Sequence, residues 1–370
     1  MFRFTLRTIF VVALFGTPMW SAVKVSTWGA MPSGKPVKLY TLENGQLSIQ
    51  LTEYGARVVN VEAPDRKGNR AHIVLGYDNL AQYLQDTKTY FGAIVGRYGN
   101  RIAGGRFTLE GSTYQVPPNN NGNALHGGPD GFNSRVWQGR QAGPDAVEFS
   151  LLSPDGDMGF PGALTVHVTY TLSGKRLRID YRATTTKPTV INLTNHAYFN
   201  LAGEGSGDIL NQKLRIPAAG ITPVNATLIP TGIIAAVKGT PFDFNAATPI
   251  GERIGAKDQQ LEYAGGYDHN FVLSGQSPLH EAAYVSDPAS GRTLTVLTTQ
   301  PGVQFYSGNF LDGSLHGPSG KPYEKHAGFC LETQHFPDSP NHANFPSTEL
   351  KPGSEYRSQT VWIFGVDTLR

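Results

Sequence analysis

Leu164-Thr165-Val166-His167-Val168-Thr169-Tyr170-Thr171-Leu172 alternates apolar and polar side chains without a break, and after Ser173-Gly174-Lys175 the alternation resumes at Leu177, Ile179 and Tyr181. A period of two marks a strand with one buried face, because successive side chains on extended backbone point to opposite sides. Two such runs joined by a glycine-containing turn read as an antiparallel hairpin. The pattern returns at Leu47, Ile49 and Leu51 after the Asn44-Gly45 turn, and at Phe107, Leu109, Gly111, Tyr114 and Val116 as strand, turn and strand. One short helical stretch interrupts it, in which Asp78 is the expected cap and Leu80, Tyr83 and Leu84 share a face. Strands and helices do not alternate, which argues against a parallel sheet. The fold class predicted is all-β, a large mostly antiparallel β-sandwich.

The chain of 370 residues carries 31 Lys and Arg against 29 Asp and Glu, a formal charge of +2. Nucleic acid is therefore a poor partner, since its binding rests on a concentrated basic field. The 43 glycines and 25 prolines supply turns for many short strands, while staying below the roughly 25–30% that marks low complexity. Arg3 and Arg7 precede an apolar run from Ile9 to Trp20, with small Ser21 and Ala22 after it. The run is shorter than the about 20 apolar residues needed to span a bilayer, so residues 1–22 read as a secretory signal peptide. The expectation is one domain over 23–370, periplasmic or secreted, free of the membrane once the leader is removed. The single cysteine, Cys330, cannot form an internal disulfide. Nothing in the sequence separates a monomer from a homodimer.

Four segments break the alternation with polar residues: Gly96 to Ile102, Leu125 to Gly128, Asn192 to Asn200, and Phe329 to Gln334. In the last, period two puts Cys330, Glu332 and Gln334 on one face. A carboxylate planted among apolar neighbours is a candidate proton-transfer group, because burial disfavours its charge; a Glu on the solvent side of an edge strand is the plainer alternative. His196, among Asn192, Asn195 and Asn200, suits acid/base work near neutral pH or a satisfied structural role. His126 precedes two glycines that permit close approach of a ligand or loop. Asn100 and Arg101 follow a glycine-punctuated loop, and Asp268 in Tyr267-Asp268-His269 is a turn cap or a hydroxyl acceptor. His126, His196, Asp268 and His269 have no metal-site spacing, and no phosphate loop, dinucleotide fingerprint or serine-hydrolase elbow occurs. The chemistry left over is acid/base catalysis without cofactor or metal.

Together these segments resemble the aldose 1-epimerase family, the galactose mutarotases. The resemblance rests on Gly96-Arg97 with Asn100-Arg101-Ile102, Leu125-His126-Gly127-Gly128, Asn192-Leu193-Thr194-Asn195-His196, Tyr267-Asp268-His269-Asn270-Phe271, Gln304-Phe305-Tyr306 with Gly308-Asn309, and Leu331-Glu332-Thr333-Gln334 before Pro337-Asp338. It implies a β-sandwich with a sugar cleft and an aldohexose substrate. It further implies Glu332 as general base, His196 as general acid, His126 at the reacting end of the sugar, and Asn100, Arg101, Asp268 and Gln304 as hydroxyl-holding residues. Gly99 stands where many relatives carry alanine, and the leader departs from the commoner cytoplasmic members. Two other readings stay open on the residues alone: a glycoside hydrolase using Asp268 and Glu332 as its carboxylate pair, and a non-catalytic sugar-binding module.

Overall fold

The hairpin forms with the register its alternation dictates: Leu164–Ser173 pairs antiparallel with Arg176–Thr185, from Leu164 opposite Thr185 to Ser173 opposite Arg176. Burial alternates along the first of these strands, so Val166, Val168 and Tyr170 face the core while His167 and Thr169 between them face outward. Each fully buried side chain of this size stabilises the fold by about 1.5–3 kcal/mol. In the computed structural model, which describes residues 22–275 and 277–367, the hairpin lies inside a nine-stranded sheet. That sheet runs in the order Gln138–Gly143, Ala146–Ser153, Leu164–Ser173, Arg176–Thr185, Tyr356–Val366, Arg292–Thr298, His280–Ser286, Lys213–Arg215 and Thr248–Pro249. The last strand in sequence, Tyr356–Val366, is inserted between Arg176–Thr185 and Arg292–Thr298 and joins the two halves. The leader expected over 1–22 lies outside the described residues except for Ala22, where the first strand begins.

Two further sheets pack against the nine-stranded one. A five-stranded meander runs in chain order through Ala22–Ala30, Pro36–Glu43, Ser48–Thr52, Arg57–Pro64 and Arg70–His72. A six-stranded sheet has the order Tyr198–Phe199, Phe329–Gln334, Gly302–Tyr306, Asp268–Leu273, Ala218–Ile221 and Ala235–Ala236. Leu42, Ile49 and Val61 of the meander, Phe271, Phe305 and Leu331 of the six-stranded sheet, and Val166, Ile179 and Trp362 of the nine-stranded sheet belong to one core. Ring contacts cross it: Phe199 stands edge-on to Trp362 at 5.0 Å, and Tyr40 to Phe149 at 5.5 Å. The architecture is the antiparallel β-sandwich expected.

The short helix spans Leu80–Gln85, but its cap is Asn79 rather than Asp78: the Asn79 Oδ1 accepts the Gln82 N–H at 3.0 Å. Asn79 is the residue in extended conformation immediately before the first helical turn, where a cap must sit. A second helix, Gln259–Ala264, capped by Asp258 and closed by left-handed Gly265, escapes sequence analysis because only Leu261 and Ala264 are buried on it, too few to display a helical period.

The six-stranded sheet has two unlike faces. Phe271, Val303, Phe305 and Leu331 point into the core. On the other side, Asn270, Gln304 and Glu332 form one cross-strand row, and Asp268, Tyr306 and Cys330 the next. A sheet with a polar row that is nonetheless buried needs a cover, and that cover is where the remaining polar segments go.

Candidate active site

The cover is assembled by backbone hydrogen bonds. Thr194–Asn195 pairs with Ile94–Val95, and the strand edge continues as the His196 N–H donates to the Ala93 carbonyl at 2.8 Å and the Gly92 N–H to the His196 carbonyl at 3.0 Å. Arg101–Ile102 pairs with Ala124–Leu125, and the His126 N–H then donates to the Asn100 carbonyl at 3.0 Å. Gly127 makes the loop crossing possible: at φ +92° its missing Cβ would lie 2.0 Å from the Gly96 carbonyl oxygen. The glycines after His126 thus admit a neighbouring loop. Tyr90, Asn100 and His126 all take left-handed backbone, with φ of 58°, 64° and 52°. For residues other than glycine this costs on the order of 1–2 kcal/mol each, and such strain gathers where side-chain direction matters.

These segments and the polar face enclose a cavity of about 220 Å³. Asn100, Arg101, His126, His196, Asp268 and Glu332 all line it. Gln304 stands one step behind, its Nε2 donating to Asp268 Oδ1 at 2.7 Å and its row shared with Glu332. Arg101 Nη1 lies 3.9 Å from Asp268 Oδ2, and its Nε donates to Asn120 Oδ1 at 3.3 Å. His196 Nε2 is 3.6 Å from Glu332 Oε1, and His196 Nδ1 is 3.6 Å from the Cys330 thiol. Glu332 is 2% exposed and its Oε2 has no hydrogen-bond partner among the described residues. The solvent-side alternative for this carboxylate is thereby removed.

Burial sets the charge states. It pushes Glu332 well above the usual carboxylate range, with the Asp268 charge adding and Arg101 opposing. Asp268 is raised by burial too, held back by Arg101 and Gln304. Burial lowers His196 to about 4, and lowers His126 well below the usual imidazole value, with His196 and Arg101 adding to the latter.

His126, His196 and Glu332 offer ligand atoms within 4.8 Å of one another, the one such convergence with metal-binding geometry among the described residues. Sequence spacing could not reveal it, because the three are 70 and 136 positions apart. Its chemistry works against a cation. His126 Nδ1 accepts the Asn100 backbone N–H at 3.1 Å, an obligatory donor, so the neutral ring carries its own proton on Nε2. That nitrogen is then a donor, whereas a metal requires a lone pair.

A family model described as aldose 1-epimerase matches residues 38–362. The chain belongs to the aldose 1-epimerase family. Among aldose 1-epimerases it is 46% identical to the galactose mutarotase of Rattus norvegicus, over 93% of this chain and 99% of the relative. It is 42% identical to the aldose 1-epimerase of Escherichia coli K12, over 90% and 96%. Crystal structures of a galactose 1-epimerase from Lactobacillus acidophilus (27% identity, TM-score 0.83, 94% of this chain and 100% of that one) and of a GalM/aldose epimerase homologue from C. elegans (30%, 0.80, 87% and 97%) share the fold.

The cavity also contains residues to which sequence analysis gave no role. Tyr198 and Tyr306 lie within quoted motifs, and period two from His196 or Gln304 would have put them on the polar side. Tyr90 and Phe310 carry no such signal, since a turn residue's direction depends on backbone angles that the sequence does not display.

Proposed function

We propose that the chain is a mutarotase that interconverts the α and β anomers of a free aldohexose, with Glu332 as general base and His196 as general acid. In the forward direction Glu332 takes the proton from the C1 hydroxyl while His196 protonates the ring oxygen, so the hemiacetal opens to the aldehyde. Rotation about C1–C2 presents the other carbonyl face, and closure with the proton roles reversed gives the opposite anomer. The observation that carries this reading is the buried approach of His196 Nε2 to Glu332 Oε1 at 3.6 Å across one small cavity. Positioned proton transfer supplies typically about 10²–10⁴-fold, and orientation adds to it. Arg101, Asn100 and Asp268 hold hydroxyls, with Gln304 fixing Asp268 and His126 donating from Nε2 at the reacting end.

The hydrolase alternative needs Asp268 free as a second catalytic carboxylate. Its two oxygens are instead engaged by Gln304 and directed at Arg101, which favours a binding role. Polarimetry on freshly dissolved α-glucose and α-galactose tests the reading: accelerated decay to the equilibrium rotation is expected, and unchanged decay in the presence of demonstrated sugar binding would leave only a binding module.

The export part of the reading rests on Arg3, Arg7 and the apolar run that follows. N-terminal sequencing of protein from cell fractions is expected to find a chain starting near Ser21 to Ala30 outside the cytoplasm. Intact Met1 on soluble cytoplasmic protein would contradict it.

A further inference from the structure

Tyr90 is an unusual choice for its position. Its backbone is left-handed, φ 58°, a conformation that glycine or asparagine adopts with less strain. The turn is pinned from both sides. Asp86 Oδ1 accepts the Lys88 and Thr89 N–H groups at 3.1 and 3.2 Å, and the Ala93 N–H donates to the Tyr90 carbonyl at 3.0 Å. Next along, Gly92 cannot take a side chain, because its Cβ would meet the Val58 carbonyl oxygen at 1.8 Å, and its N–H bonds the His196 carbonyl. The turn that aims Tyr90 is therefore tied directly to His196.

What the ring does there follows from its contacts. Its centroid lies 4.6 Å from that of His126 and 5.6 Å from that of His196, and the two imidazoles are themselves 5.1 Å apart and nearly perpendicular. Each of the three rings touches the other two. Tyr198 also packs against His196, with ring centroids 5.2 Å apart. We propose that Tyr90 is a positioning residue for both imidazoles, fixing their mutual orientation and keeping water out of the space between them. This rests on the acid/base reading above. Burial raises the phenol to about 12, so it stays protonated across the neutral range.

The other groups facing the imidazoles are Glu332 and Cys330 from the Phe329–Gln334 strand, Arg57 toward His196, and Arg101 toward His126. All of these persist when Tyr90 is changed, so imidazole titration followed by ¹H–¹⁵N NMR reports the ring alone. Tyr90→Phe is expected to leave both titrations in place and kcat within about twofold. Tyr90→Asn, which tolerates the left-handed backbone, is expected to move both imidazole pKa values upward toward the ordinary range and lower kcat by about 10–100-fold, with a smaller change in KM. Tyr90→Gly, at ease in the left-handed backbone and without any side chain, is expected to match the Asn variant, which covers a failure of that variant to fold. The proposal is overturned if both ringless variants titrate like the parent protein, or if Phe is as damaging as Asn, since the hydroxyl would then be the acting group. Imidazole titrations that shift as expected in a protein whose parent form exchanges no anomers would support the positioning role while rejecting the mutarotase reading.

Discussion

His196 Nε2 lies 3.6 Å from Glu332 Oε1, and neither residue is more than 5% exposed. Burial disfavours charge on both, raising Glu332 and lowering His196 to about 4. When the pair holds one proton, that proton rests on Glu332. The arrangement that the proposed mechanism requires, ionised Glu332 with protonated His196, is a tautomer with the same proton count, so the pair titrates as a unit. As pH falls through about 4 the pair gains a second proton and Glu332 cannot act as base. As pH rises through the elevated value of Glu332 the last proton leaves and no acid remains. A bell-shaped kcat/KM is therefore expected, its acid limb near 4 and its alkaline limb above the usual carboxylate range. A rate still rising well above neutrality would contradict the pairing.

Glu332→Gln and His196→Asn should each lower kcat by at least about 10²-fold while sugar binding, followed by calorimetry, survives. Because the proposed transfer uses both groups, the double variant should lose far less than the product of the single losses. Strict multiplication would show that they act independently.

Glu332→Gln should at the same time stabilise the protein. A carboxyl whose pKa is raised on folding contributes stability below its unfolded pKa and forfeits it as pH rises through the folded value. Glutamine mimics the uncharged form at every pH. The variant should match the parent near pH 4 in thermal unfolding and exceed it at pH 8, by about 0.5–2 kcal/mol. An inactive variant that is also less stable at pH 8 would argue against this electrostatic account.

Arg101→Ala should raise KM, since a hydroxyl-holding contact acts on the ground state. It also removes the cation that faces Asp268, which is only 8% exposed, and removing one partner of a buried pair costs about 3–5 kcal/mol. Denaturant unfolding alongside steady-state kinetics separates the two effects. A raised KM with unchanged stability would indicate that the 3.9 Å pair contributes only to binding.

Gly127→Ala sets a Cβ against the backbone of Gly96, 2.0 Å from its carbonyl oxygen, where no side-chain movement gives relief. A loss of at least about 1–3 kcal/mol is expected in equilibrium unfolding, together with reduced turnover, because the same loop orients His126. Full stability would show that the two loops separate easily.

Much of this molecule was legible beforehand wherever a single periodicity governs. The hairpin of Leu164 to Tyr181 has its inward face settled by alternation alone, and Cys330, Glu332 and Gln334 share a face for the same reason. Alternation could not tell that the polar side of Phe329–Gln334 is roofed over, because the roof comes from Gly92 to Arg101, His126 and His196, joined only by long-range pairing. The convergence of His126 with His196 and Glu332, and the aim of Tyr90, depend on φ values near +55° that residue type does not announce. The Asn79 cap was missed by one position because Asp and Asn cap equally well.

The place of Tyr356–Val366 in the middle of the nine-stranded sheet has a consequence for the order of events in time. During synthesis, Arg176–Thr185 and Arg292–Thr298 emerge long before the strand that must lie between them, and neither can complete its ladder alone. The final join waits for Tyr356–Val366, with sequence separations of well over a hundred residues across its pairing with Arg176–Thr185, which makes for slow closure. Until Tyr356–Val366 has been made, Arg176–Thr185 and Arg292–Thr298 each keep an open sheet edge that a chaperone can engage.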